Sequence, residues 1–224
     1  MSLPKPYYEK DGITIYHADC REILPFIGRF DLCLTDPPYG VQLAEGFSGA
    51  TGFGGKGRPI ERRRYVGEWD NERPDAGVFT LCRTVSAYQI IWGGNFFADV
   101  LPRSTHWISW DKLNTMPSFG DCELAWTNFD RKSVKKVVVE WNGLIGKEEF
   151  RQHPTQKPQT LMTWCINHAP KSDTILDPFM GSGTTLVAAK QLGRKAVGIE
   201  LEEKYCEIAV QRLAQDILPF GEVA

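Results

Sequence analysis

"TILDPFMGSGTT", Thr174 to Thr185, decides the architecture: an apolar run ends on an acid, turns on two glycines and opens a helix. "TILD" has the length and β-branched content of a buried strand. Gly181 and Gly183 permit a tight turn and a close backbone approach to a ligand, and Thr184 can cap the helix "TTLVAAKQLG". "KAVGIE" (Lys195 to Glu200) reads as a second strand closed by an acid. "EEKYCEIAVQRLAQDI" reads as a helix with Tyr205, Ile208, Ala209 and Leu213 on one face. This is the order of a nucleotide-binding βαβ unit, in which Glu200 can accept from both hydroxyls of a ribose. The spacing is neither GxGxxG nor the GK[ST] of a P-loop, and the turn alone would serve equally as helix packing.

Upstream, "GITIYHAD" (Gly12 to Asp19), "FDLCLT" (Phe30 to Thr35), "AYQIIWGGN" and "HWISWDK" (His106 to Lys112) read as strands. "CREILPFI" gives a short helical turn, and "GVFTLCRTVS" and "QTLMTWCINHA" give helices. "CELAWTNF" and "VKKVVVEWN" flank the basic "DRKSVKK", so a hairpin is expected over about 120–142. Strands alternating with helices predict an open, mostly parallel α/β sheet covered on both faces. The whole of 1–224 is expected to be one domain, interrupted at about 40–74 by a Gly-rich, then Arg-rich insertion with no helical or strand period.

Composition narrows the classes. With 42% hydrophobic and 24% charged residues, the chain is neither disordered nor collagen-like, and a net charge of −2 means that any nucleic-acid surface must be a local patch. The six cysteines show no CxxC and the four histidines no HxxxH, so reduced thiols and no metal site are expected. No apolar run is long enough for a membrane span, and a cytoplasmic protein is expected.

"LCLTDPPYG" (Leu32 to Gly40) carries a second signal. Two prolines remove two backbone donors and stiffen the segment, fixing the Asp36 carboxylate near the Tyr39 ring. Asp19, Asp36, Asp177 and Glu200 each stand at or just past the end of an expected strand. Four acids on one sheet edge repel unless ligand amines and hydroxyls share them, which points to a nucleoside beside an amine-bearing substrate.

"TDPPYG", then "HPTQKP", then "DPFMGSGTT" resemble the S-adenosylmethionine-dependent DNA amino-methyltransferases, in the circularly permuted order of that family's beta group. The resemblance implies a Rossmann-like methyltransferase fold with S-adenosyl-L-methionine as cofactor and double-stranded DNA as partner. It places Asp177, Phe179, Gly181, Ser182, Gly183 and Thr184 at the cofactor's methionine end, Glu200 at its ribose and Asp19 near its adenine. Thr155 and Lys157 would lie by the cofactor carboxylate. Asp19 could instead cap the turn that follows it, and Lys157 could be a solvated lysine; His153 reads as a turn residue. Asp36, Pro37, Pro38 and Tyr39 would hold a flipped-out base. Its amine protons would meet the Asp36 carboxylate and the Pro37 carbonyl, while Tyr39 stacks on its face.

Lys56, Arg58, Arg62, Arg63, Arg64 and Arg73, and more distantly Arg131, Lys132, Lys135 and Lys136, form basic segments suited to phosphate or to plain solvation. Aspartate first in the catalytic motif accompanies adenine in this family, which implies methylation at N6 of adenine. Cytosine N4 is the near rival, and a catalytically idle DNA-binding subunit and a dinucleotide oxidoreductase are rivals from other classes. The sequence leaves open the recognition site, a homodimer and a companion restriction nuclease.

Overall fold

Parallel strands buried on both faces need continuous apolar runs, and these runs set the centre of the sheet. The computed structural model describes residues 3–40, 73–113, 120–140 and 156–215. Its strands are β1 (Tyr8–Lys10), β2 (Ile13–His17), β3 (Phe30–Thr35), β4 (Ser86–Trp92), β5 (Trp107–Asp111), β6 (Cys122–Thr127), β7 (Val134–Val138), β8 (Thr174–Asp177) and β9 (Lys195–Glu200). They form one sheet in the order β1-β2-β9-β8-β3-β4-β6-β5-β7. The core strands β2, β9, β8, β3 and β4 are all parallel, and only β1 and β6 run against the rest.

The helices are α1 (Cys20–Ile23), α2 (Ala76–Val85), α3 (Gln159–His168), α4 (Thr184–Gln191) and α5 (Glu203–Ala214), with a 3-10 turn at Gly94–Phe97. Alternation along the strands splits the core. Leu32, Leu34 and Ile175 face α3, α4 and α5, whereas Cys33, Leu176 and Ile199 face α1 and α2. The result is a sheet between two helical layers, as the alternating pattern predicted.

The chain leaves β8 toward β9 on one side and leaves β3 toward β4 on the other. The reversal lies between β8 and β3, where open α/β sheets hold ligands at their carboxyl edge. The permuted order follows directly, since β8 and β9 come from the end of the chain and sit beside β3 from its beginning.

The expected hairpin is not formed. β6 and β7 do not pair with each other; β5 lies between them, antiparallel to β6 and parallel to β7. Burial explains the arrangement. Ala125, Trp126 and Thr127 of β6 are all buried and require neighbours on both sides, whereas β7 buries only Val137 and suits an edge. Strand β1 was not legible in the sequence, and the Gly-Gly of "AYQIIWGGN" marked a turn but not its 3-10 form.

Candidate active site

Elements from both ends of the chain deliver side chains to the carboxyl edge. Asp177 ends β8 and is buried, accepting from Thr35 Oγ1 at 2.8 Å and from the Phe179 amide at 3.2 Å. The first of these bonds ties the glycine turn to the strand that carries "DPPY". Burial pushes the Asp177 carboxyl up to about 6, against hydrogen bonds from Thr185, Thr35 and the Phe179 amide. Glu200, ending β9, accepts the Gly181 amide at 2.9 Å and the Glu202 amide at 2.8 Å. Burial raises its carboxyl as well.

The two glycines divide the two readings of their turn between them. Gly183, at φ +77°, is the N-cap of α4, and a Cβ there would stand 2.7 Å from the Ala209 Cβ of α5. It is a packing glycine. Gly181, at φ +50°, would project a Cβ into open space, which leaves its backbone free for a ligand to approach. Thr184 does not cap the helix: it is the first helical residue after Gly183, and its hydroxyl accepts from Arg212 Nη1 at 3.0 Å. The same guanidinium nitrogen donates to the Ser182 carbonyl at 2.7 Å and to its hydroxyl at 3.1 Å, fastening the turn to α5.

At "DPPY", the Tyr39 hydroxyl donates to Asp36 Oδ1 at 2.5 Å, and the Lys157 ammonium donates to Oδ2 at 2.6 Å. Lys157 also reaches Glu123 Oε2 at 3.0 Å, and Glu123 is paired on its other oxygen with Lys112. Four charges of alternating sign thus run from the catalytic motif to the end of β5. Burial pushes the Asp36 carboxyl above its ordinary value; Lys157 opposes this and Glu123 adds to it. Burial alone would push the Lys157 ammonium down, but Asp36 and Glu123 hold it well above its usual value, so it stays charged. Burial acts to raise Glu123 too, yet Lys157 and Lys112 bring it below the ordinary carboxylate value. Burial and the Asp36 charge hold the Tyr39 phenol well above its usual value, so it remains a donor.

The Tyr39 ring is set by its surroundings. Phe96 stacks on it at 4.7 Å and 17°, and Phe97 meets it edge-on at 6.1 Å. Gly93, at φ +67°, leaves room for it, since a Cβ there would fall 2.1 Å from Tyr39 Cε1. A rigid acid, a buried cation and an aromatic face therefore stand beside a glycine turn whose backbone is open.

The family model described as DNA methylase, of the N6 and N4 amino-methyltransferases, matches residues 91–211. The chain is 31% identical to Type II methyltransferase M2.LlaDCHI of Lactococcus lactis subsp. cremoris, over 94% of this chain and 93% of that protein. It is 29% identical to Type II methyltransferase M.HinfI of Haemophilus influenzae, over 90% of this chain and 68% of that protein. Among solved structures, the M1.HpyAVI–SAM complex superposes with a TM-score of 0.58 at 25% identity, covering 91% of this chain and all (100%) of that one. This chain belongs to the S-adenosylmethionine-dependent DNA amino-methyltransferases. The cytosine-N4-specific PvuII DNA methyltransferase shares the fold, with a TM-score of 0.63 at 15% identity.

In this methyltransferase several expected residues lie elsewhere or are otherwise engaged. Arg131 and Lys132 are not near Asp36. They follow the end of β6, which is antiparallel to β4, and so fall at the opposite, amino edge of the sheet. There Arg131 Nη1 lies 3.0 Å from His168 Nε2 and donates to the His168 carbonyl at 3.3 Å. Lys157 is not a solvated lysine, being buried against Asp36 and Glu123. Asp19 caps α1 through the Arg21 amide at 2.9 Å and pairs with the Arg21 guanidinium, which holds its carboxyl below the ordinary value.

Arg73 pairs with Asp99 and donates to the Phe96 carbonyl at 2.8 Å. Lys56, Arg58, Arg62, Arg63, Arg64, His153 and Thr155 lie outside the described residues. Glu123, Lys112, Gly93 and Phe96 were missed as individual site residues. The legible trace of Glu123 was one acid in the apolar alternation of "CELAWT". Among the described residues there is no cluster of three metal-ligating side chains, and no helix is long and apolar enough to cross a membrane.

Proposed function

We propose that this methyltransferase transfers a methyl group to the exocyclic N6 amine of an adenine turned out of double-stranded DNA. The observation that carries the reading is the 2.8 Å bond from Thr35 to Asp177, which brings the "DPPY" motif and the glycine turn to adjacent strand ends. S-adenosylmethionine, when bound, supplies an electrophilic sulfonium methyl group. The residues suit it: Gly181 opens onto free space, Phe179 and Asp177 flank the turn, and Glu200 keeps lone pairs beyond its two amide bonds for ribose hydroxyls. Ser182, Gly183 and Thr184 hold that turn against α5. Asp19 follows Ala18, whose amide bonds the Glu200 carbonyl at 3.0 Å, and this position beside Glu200 supports a place for Asp19 near the cofactor's adenine.

Asp36 and the Pro37 carbonyl accept the two amine protons, directing the nitrogen lone pair at the methyl group. Lys157 opposes the burial that raises the Asp36 carboxyl and so favours its ionised form for that task. Tyr39, braced from behind by Phe96, offers its ring to the base; stacking worth roughly 1–3 kcal/mol offsets much of the cost of leaving the duplex. The basic residues Lys56, Arg58, Arg62, Arg63 and Arg64 are proposed for phosphate contact, since their segment leaves directly from the catalytic motif.

The test is incubation of the protein with methyl-labelled S-adenosylmethionine and unmethylated duplex DNA, followed by mass spectrometry of the nucleosides. N6-methyladenine is expected. N4-methylcytosine would move the target to cytosine, and unlabelled DNA would favour an idle subunit.

A further inference from the structure

Both carboxylate oxygens of Asp36 are occupied, one by the Tyr39 hydroxyl and one by the Lys157 ammonium. A base amine must share an oxygen with a donor already there, and the ammonium holds its oxygen more strongly than the hydroxyl does because its bond is charge-assisted. Lys157 has a second carboxylate already in reach, Glu123 Oε2 at 3.0 Å. The ammonium can therefore change its main partner by a small displacement without exposing a buried charge. Glu123 costs desolvation at its site, and the sheet does not need a carboxylate there for packing. It arrives at the carboxyl edge because β6 runs against its neighbours and so begins where they end.

We propose that Glu123 is a positioning residue that takes over the Lys157 ammonium when a target amine binds Asp36. Resting on the reading of Asp36 above, this makes Lys157 a cation with two stations. On Asp36 it offsets the burial of that carboxylate; on Glu123 it leaves an oxygen to the amine. As the N–C bond forms, the sulfonium's bond to its methyl would break and its sulfur would leave as a neutral thioether; the positive charge then on the nitrogen, until a proton passes to water, repels the ammonium toward Glu123. Lys112, paired with Glu123 from the far side, competes for the same carboxylate and weakens the second station.

The two neighbours of the chain therefore have opposite effects on rate. In single-turnover transfer to unmethylated duplex DNA, Glu123→Gln is expected to slow methylation about tenfold or more while DNA affinity stays within about twofold. Asp36 is faced by Lys157 and Tyr39 directly, by Glu123 beyond them and by Asp177 on β8. Removing the Glu123 charge moves the acid limb of the rate profile to lower pH. Lys112→Met frees Glu123 for Lys157 and is expected to raise the rate. Equal rates for Glu123→Gln and the parent, or a fall in rate with both variants, would overturn the proposal, the latter marking a structural ion-pair chain. Should Glu123→Gln fail to fold, the direction of the Lys112→Met effect decides alone. Asp36→Ala in the same assay separates the two readings. Transfer surviving that substitution defeats the role of Asp36 itself, whereas its loss beside a parent-like Glu123→Gln defeats only the two-station cation.

Discussion

The two edges of this sheet bury charged and ionisable groups to opposite ends. At the carboxyl edge Asp36, Lys157, Glu123 and Lys112 alternate in sign, so each charge meets an opposite one that works against its burial. At the amino edge His106 and His168 stack at 5.4 Å, with Trp164 on the outer face of His168 at 4.6 Å. The charge nearest to His168 is Arg131, of the same sign as a protonated imidazole. Burial, then Arg131, push the His168 imidazole down to about 4, and burial lowers His106 as well. One edge preserves charge for chemistry; the other suppresses it for packing. The difference lies in what stands beside each group, since both edges are at least partly shielded from water.

The sharpest way to break the comparison is to remove the acid at the chemical edge. Asp36→Ala is expected to lower methyl transfer by on the order of 10²–10⁴-fold, the range for one positioned acid–base group. Thermal unfolding checks that the fold survives, and near-parent transfer with intact folding would end the case for Asp36. Lys157→Met comes next, with a loss of about 10–10²-fold near neutral pH. The sign follows from the pair: Lys157 lowers the Asp36 carboxyl, so its removal raises that carboxyl and moves the acid limb of the rate profile to higher pH. The deficit should narrow as the pH is raised. A deficit constant across pH would mean that Lys157 does something other than keep Asp36 ionised.

Gly93 tests the aromatic part of the same edge. Gly93→Ala places a methyl group inside the Tyr39 ring at a positive φ, so overpacking is expected to cost about 1–3 kcal/mol of stability and to displace the ring. Transfer should fall more than unfolding stability alone explains, and a parent-like rate would show that the Tyr39 position is unimportant.

This glycine also marks how far the sequence could be read. "WGGN" signalled a turn, and nothing local said that a tyrosine 54 positions earlier in the chain would fill the space above it. The strands of the parallel core were legible because each is an apolar run ending on a polar tip, and the edge they share follows from topology. Glu123 was not legible, because its role depends on β6 running backwards, and strand direction is set by tertiary pairing. For the same reason the sequence could not say that Arg131 and Lys132, which follow an antiparallel strand, stand at the amino edge. Lys157 was found as a residue and missed as a partner of Asp36, across 121 positions of chain.

The amino edge gives the smallest effect and the cleanest contrast. His168 accepts from Arg131 and so is neutral in the folded chain. Its folded value of about 4 lies below the ordinary 6.5, so between those two pH values the unfolded chain takes up a proton that the folded chain refuses. Stability is full above pH 6.5 and is lost as the pH falls toward 4, and the lowered His106 acts in the same direction. Discounted for the solvent that reaches His168, the loss is about 1–2 kcal/mol. His168→Gln keeps an acceptor for Arg131 and cannot protonate, so chemical denaturation at pH 7 and pH 4.5 should differ less for it than for the parent. An equal pH dependence in both would place the acid sensitivity with the carboxylates of the other edge, and the contrast between the two edges would then fail where it is most exposed to measurement.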